Sequence, residues 1–126
     1  MRQYRISAAC LERLHGRLGL QSRVSGSVER QRHEMVLRAQ GLRLAYDALV
    51  ASFGKAAASH DFRKQWPEAQ AAFFARFCLL SCNADENPSP LSPRANCLLP
   101  LHNMPEFGAA FECTSRDEFV TQQCLP

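Results

Sequence analysis

Apolar residues recur along this chain at helical spacing, in segments separated by polar or proline-rich runs. Ile6, Cys10, Leu14 and Leu18 fall four apart with Leu11 beside them, while Glu12, Arg13 and Arg17 point elsewhere, which predicts a helix over about 6–18. Gly19 supplies the stop. A polar connection, Gln21 to Ser27, leads to Val36, Ala39, Leu42, Ala45, Tyr46, Leu49 and Phe53, the 3.6-residue stripe of a second helix over 29–53 with Gly54 as its C-cap. Gly41 inside that stripe costs about 1 kcal/mol relative to Ala, so the reading is either close packing against another backbone or a local break.

Pro67 suits the first turn of a third helix, over 67–82, that carries Phe73, Phe74, Phe77 and Leu80 toward a core. Residues 83–95 contain three of the seven prolines and read as an irregular loop. Asn103 and Glu106 have the spacing of a capping box, and Pro105 fits the first turn of a short final helix over 104–111. No internal repeat or low-complexity tract is present, and the fold class is mainly α-helical.

Composition changes this picture little. At 126 residues, 46% hydrophobic and 21% charged, the chain is one domain or part of one and can bury a real core. The net charge of +3 conceals an asymmetry, with nine Arg against three Glu in residues 1–43. No aromatic residue lies between Tyr4 and Tyr46 to stack on bases, so the basic half points to a solvated face or a partner face, with no nucleic acid as partner. The chain contains no stretch of 18 or so apolar residues that would span a membrane.

The six cysteines change more. An even set in a short chain with no Cys-x-x-Cys pair favours disulfides and an oxidising compartment over a zinc ribbon or a thioredoxin-type site. The first twelve residues have no apolar core of signal-peptide length, which leads to the expectation that the natural chain begins upstream.

Three segments carry a resemblance. They are Glu34-Met-Val-Leu-Arg38-Ala-Gln-Gly41-Leu42-Arg-Leu-Ala45-Tyr46, then Gln70-Ala-Ala-Phe73-Phe74-Ala-Arg-Phe77-Cys-Leu-Leu-Ser-Cys82, then Asn103-Met-Pro-Glu-Phe-Gly-Ala-Ala-Phe-Glu-Cys113 with Cys124 near the end. In order and content they resemble the E-N-x-x-D-x-x-G-L-x-x-A-Y, Q-x-x-F-F and N-x-x-E-F-x-x-A-F-x-C segments of the neprilysin and endothelin-converting-enzyme family of zinc metalloendopeptidases. The resemblance covers nearly all of residues 8–126. It implies the C-terminal helical lobe of a zincin (gluzincin) catalytic domain, secreted or on the extracellular side of a membrane, whose complete protein binds zinc and cleaves oligopeptides.

The resemblance also locates what is missing. The zinc-binding H-E-x-x-H helix appears nowhere, and His33-Glu34 is followed by Leu37 where a second imidazole would stand. Glu34 matches the family's third zinc ligand, with Met35 in place of the following Asn and Arg38 in place of the Asp that orients a ligating histidine. A plain surface glutamate is the competing reading of Glu34. Leu91 occupies the position of the family's transition-state histidine, and Arg94 or Asn96 that of its substrate-binding arginine.

Carried over, the family's disulfides pair Cys10 with Cys124 and direct Cys82 and Cys113 to a missing N-terminal lobe. Cys78 and Cys97 are extras, with each other as one available pairing. His15, His60 and His102 read as surface or cap residues. No catalytic residue is assigned, and the isolated chain is expected to be hydrolytically silent, with no cofactor of its own. The alternative is a non-catalytic, secreted, disulfide-bonded helical protein that binds a peptide or partner.

Overall fold

In a computed structural model, residues 1–20, 27–53, 60–82, 89–114 and 122–126 are described. Among the described residues five helices follow in order: α1 (Arg2–Arg17), α2 (Val28–Phe53), α3 (His60–Leu80), α4 (Pro93–His102) and α5 (Pro105–Ala110). Among the described residues there is no strand.

The end of α1 is fixed by backbone chemistry. Leu18 is its C-cap, and Gly19 takes the left-handed conformation at φ 63°. The amide of Gly19 donates to the Gly16 carbonyl at 3.2 Å and that of Leu20 to the His15 carbonyl at 3.3 Å, a Schellman arrangement. Leu20 then folds back into the same apolar cluster as Leu14. Of the expected stripe, Cys10, Leu11 and Leu14 are buried and Leu18 packs against the same cluster, whereas Ile6 is exposed; Ser7, Ala8 and His15 also face inward.

Ser27 opens α2, its Oγ accepting from the amide of Arg30 at 3.2 Å. Gly41 neither breaks the helix nor allows a close approach, since a Cβ added there would meet nothing within 4 Å. Residues 21–26, including most of the polar connection, and Gly54 lie outside the described residues.

Helix α3 begins at His60, seven residues before Pro67, so the proline lies inside the helix and not in its first turn. Aromatic packing carries the helix through that residue. Phe62 and Trp66 lie 4.9 Å and 5.5 Å from the ring of Phe53 at the end of α2, so tertiary contacts hold the extra turns.

Helix α4 overturns part of the loop expected over 83–95. Residues 83–88 lie outside the described residues, but Pro93, Arg94 and Ala95 are already helical. Ser92 caps the helix, its Oγ accepting from the amide of Ala95 at 3.1 Å, and Pro93 follows at a position where a missing N–H costs nothing. Ala95, Asn96, Leu99, Pro100, Leu101 and His102 are all buried, which makes α4 the central strut.

Two apolar clusters result. Residues from α1, the first half of α2 and the start of α4 form an aliphatic one around Leu11, Leu14, Met35, Ala39 and Leu99. The second half of α2, with α3, α4 and α5, forms an aromatic one around Leu42, Tyr46, Phe74, Leu101 and Met104. Cys10 is bridged to Cys124 with Cα atoms 5.4 Å apart, and Cys78 to Cys97 with Cα atoms 4.8 Å apart.

Candidate functional site

The residues of the three motifs meet in the aromatic cluster. Tyr46 stacks on Phe74 with ring centroids 5.6 Å apart and meets Phe73 edge-on at 5.7 Å. Its hydroxyl accepts from the Gln70 side-chain amide at 2.6 Å. Phe74 in turn meets Phe107 edge-on at 5.3 Å. Edge-on and offset ring pairs contribute about 0.5–1.5 kcal/mol each beyond the area they bury.

The last motif holds through its polar residues. Asn103 does not cap α5, whose N-cap is Met104 with no side-chain hydrogen bond. Its buried Oδ1 accepts instead from the backbone amides of Cys124 and Leu125, while the Gln122 amide donates to the His102 carbonyl at 2.7 Å. Glu106, the other half of the expected capping box, reaches across to Arg43 on α2 at 2.8 Å. Arg43 also pairs with Asp47 at 2.9 Å and lies 5.4 Å from the centre of the Tyr46 ring. Burial opposes the charge of Arg43, but the two carboxylates outweigh it and raise its pKa. Thus Asn103 fastens the C-terminal tail, and Glu106 fastens α5 to α2.

Glu34 sits on the half-buried side of α2, and its carboxylate is engaged. Arg38, one turn on, donates from Nε to Oε1 at 2.7 Å. A cation bound by Glu34 would have to displace that guanidinium or share the carboxylate with it. His33 is exposed, its ring 6.4 Å from that of Tyr4 on α1. Leu91 is buried in the aliphatic cluster. Arg94 is exposed on the first turn of α4. Among the described residues, no three His, Cys, Asp or Glu side chains gather into a metal-binding group.

His15 and His102 are buried in the last turns of α1 and α4, whereas His60 is exposed at the start of α3. Burial lowers the pKa of His15, and a hydrogen bond with the Leu20 backbone and the charge of Glu12 only partly oppose it. His15 lines a cavity of about 370 Å³ with Glu12, Gln31, Arg32, Met35, Leu91 and Ser92. Across its mouth Arg32 and Glu12 form two hydrogen bonds, at 2.8 Å and 3.3 Å. The sequence signal for this pair was weak: Glu12 and His15 share a helix face at i, i+3, but nothing local reveals that Arg32 meets Glu12.

A second depression, of about 490 Å³, runs between α2 and α3 and is almost wholly apolar. Gly41, Ala45, Leu49, Ala72, Phe73, Phe77 and Leu80 line it, with Arg76 at its rim. Small residues on both helices create it, since the large rings of Tyr46, Phe73 and Phe74 set the helix spacing and the alanines do not fill it.

Comparison of the chain with family models, with curated proteins and with solved structures returns no match. The mainly helical fold, the two disulfides and the absence, among the described residues, of a helix long and apolar enough to cross a membrane stand on the structure alone.

Proposed function

We propose that the chain is the C-terminal helical lobe of a neprilysin-like zinc metalloendopeptidase, without the catalytic centre. What supports the reading is the convergence of the three resembling segments on one cluster. Leu42 and Tyr46 from the first, Phe73 and Phe74 from the second, and Phe107 and Ala110 from the third pack together although the sequence separates them widely. The Cys10–Cys124 bridge is the pairing the resemblance implies, and Cys82 and Cys113, the two cysteines it directs to another lobe, are free thiols. Two disulfides suit a secreted or extracellular setting.

On this reading Glu34 would serve as the third zinc ligand only beside an H-E-x-x-H helix supplied from elsewhere. Zinc there would act as a Lewis acid and activate a water for attack on a peptide bond. Alone, the chain holds Glu34 against Arg38 and has Leu91 where charge stabilisation would be needed, so it should not turn over peptides. The test is zinc titration calorimetry with a peptide hydrolysis assay on the purified chain. Neither tight stoichiometric zinc binding nor turnover is expected, and zinc-dependent cleavage abolished by Glu34→Gln would contradict the reading.

The apolar groove between α2 and α3 favours a second reading, a non-catalytic binding protein. Its occupant would be an apolar peptide segment bearing a carboxylate for Arg76.

A further inference from the structure

The end of α3 places a third sulfur beside a disulfide. The Cys78–Cys97 bridge ties α3 to α4, and Cys82, one turn beyond Cys78, is an exposed free thiol. The chain tightens there. The Ser81 amide donates to the Cys78 carbonyl at 3.0 Å and the Cys82 amide to the Leu79 carbonyl at 3.1 Å, which draws residue 82 back under the last turn of the helix. The Cys82 thiol lies against the residue it would attack, its Sγ 3.8 Å from the carbonyl oxygen of Cys78. We propose that Cys82 is an internal exchange thiol that opens the Cys78–Cys97 bridge by forming a Cys78–Cys82 bond in its place.

The step balances within the chain. The Cys82 thiolate attacks Sγ of Cys78, the bond to Cys97 breaks as the new one forms, and Cys97 leaves as a thiolate that takes up the proton Cys82 released. One disulfide is exchanged for another, so no oxidant or reductant is consumed. Side chains four apart on a regular helix hold their Cβ atoms about 5–6 Å apart, wider than a disulfide accepts. Cys82 lies just past the end of α3, where the backbone can close that difference.

The consequence lies in what each bond constrains. Cys78–Cys97 joins two helices, whereas Cys78–Cys82 would close a single turn and leave α3 and α4 joined by side-chain packing alone. Helix α3 would then be held by its ring contacts with Tyr46 and Phe107 and by the Gln70–Tyr46 hydrogen bond. The exchange therefore sets how firmly the α3 wall of the apolar groove is anchored. It is a property of this chain by itself and does not rest on the peptidase reading.

The test is thiol mapping of the non-reduced, purified chain. Free thiols are alkylated either at once in acid or after incubation in alkaline buffer without added thiol, where thiolates accumulate and exchange can run. At the start the label should sit on Cys82 and Cys113. With time, label should fall on Cys82 and rise on Cys97 in equal measure, with a peptide holding Cys78 and Cys82 in an internal bridge. Cys113→Ser should leave this transfer unchanged, and Cys82→Ser, at an exposed site, should abolish it while retaining the helical circular dichroism. A Cys97 that stays unlabelled in the wild-type chain, or label reaching Cys97 equally fast in Cys82→Ser, would overturn the proposal.

Discussion

The two halves of α2 pack in opposite ways. Its first half enters an aliphatic cluster in which Leu11, Met35, Ala39 and Leu99 have almost no exposure, closed by the Cys10–Cys124 bridge. Its second half enters an aromatic cluster in which Phe74 is buried while Trp66, Phe73 and Phe77 keep part of their surface in water, beside an open apolar groove. The opening beside the aliphatic cluster is ringed by Glu12, His15 and Arg32, whereas the one beside the aromatic cluster is almost wholly apolar. Both halves bury a core, and the second also leaves an apolar surface open beside it.

The largest effect should come from opening the closed half. The Cys10–Cys124 bridge spans 114 residues, and in the chain-entropy model such a closure contributes about 4–5 kcal/mol. The Cys10→Ser, Cys124→Ser double variant should lose about that much in urea unfolding. A loss below about 1 kcal/mol, well short of the chain-entropy figure, would show that the aliphatic cluster and the Asn103 clamp hold the tail without it. Within the aromatic half the contrast should be internal. Phe74→Ala should cost about 3–5 kcal/mol, because it leaves a cavity between Tyr46, Phe73 and Phe107. Leu80→Ala, at an exposed wall of the groove, should change stability by less than about 0.5 kcal/mol. Equal costs would mean that the groove is closed in solution.

A smaller effect should follow pH in the aliphatic half. Burial lowers the pKa of His15 from 6.5, so the unfolded chain takes up its proton first as the solution is acidified. The contribution is fully present above about pH 6.5 and is lost between 6.5 and the lower folded value, so stability rises with pH across that window. His15→Gln should flatten that slope in unfolding measured at several pH values, and an unchanged slope would assign the acid sensitivity to other groups.

Much of this architecture was legible in the sequence because helical periodicity is local. The stripe of Val36, Ala39, Leu42 and Tyr46 predicts α2, and Gly19 marks the end of α1 through its backbone freedom. Most of the errors come from contacts between distant residues, and one from a local cap. Pro67 looks like a start until Phe62 and Trp66 are seen against Phe53, and Pro93 looks like loop until Ser92 is seen capping a helix. Asn103 and Glu106 have the spacing of a cap, yet the partners that claim them, Cys124 and Arg43, are 21 and 63 positions away. Of the candidate site, the ion pair of Glu34 with Arg38 follows from their i, i+4 spacing. The apolar groove was not, since it depends on how rings on α2 and α3 set the helix spacing.

The proposed kinship of residues 8–126 with a peptidase's C-terminal lobe is tested most directly by a graft. An active neprilysin-family enzyme would receive this segment in place of its own C-terminal part, with Met35→Asn, Arg38→Asp and Leu91→His to remove the departures at the metal and transition-state positions. Secreted chimera would be measured for bound zinc and for hydrolysis of a peptide substrate. The account predicts a folded chimera holding one zinc per chain, with hydrolysis that Glu34→Gln abolishes and that the unsubstituted graft lacks. A chimera that fails to fold, or that folds but holds zinc independently of Glu34, would contradict it.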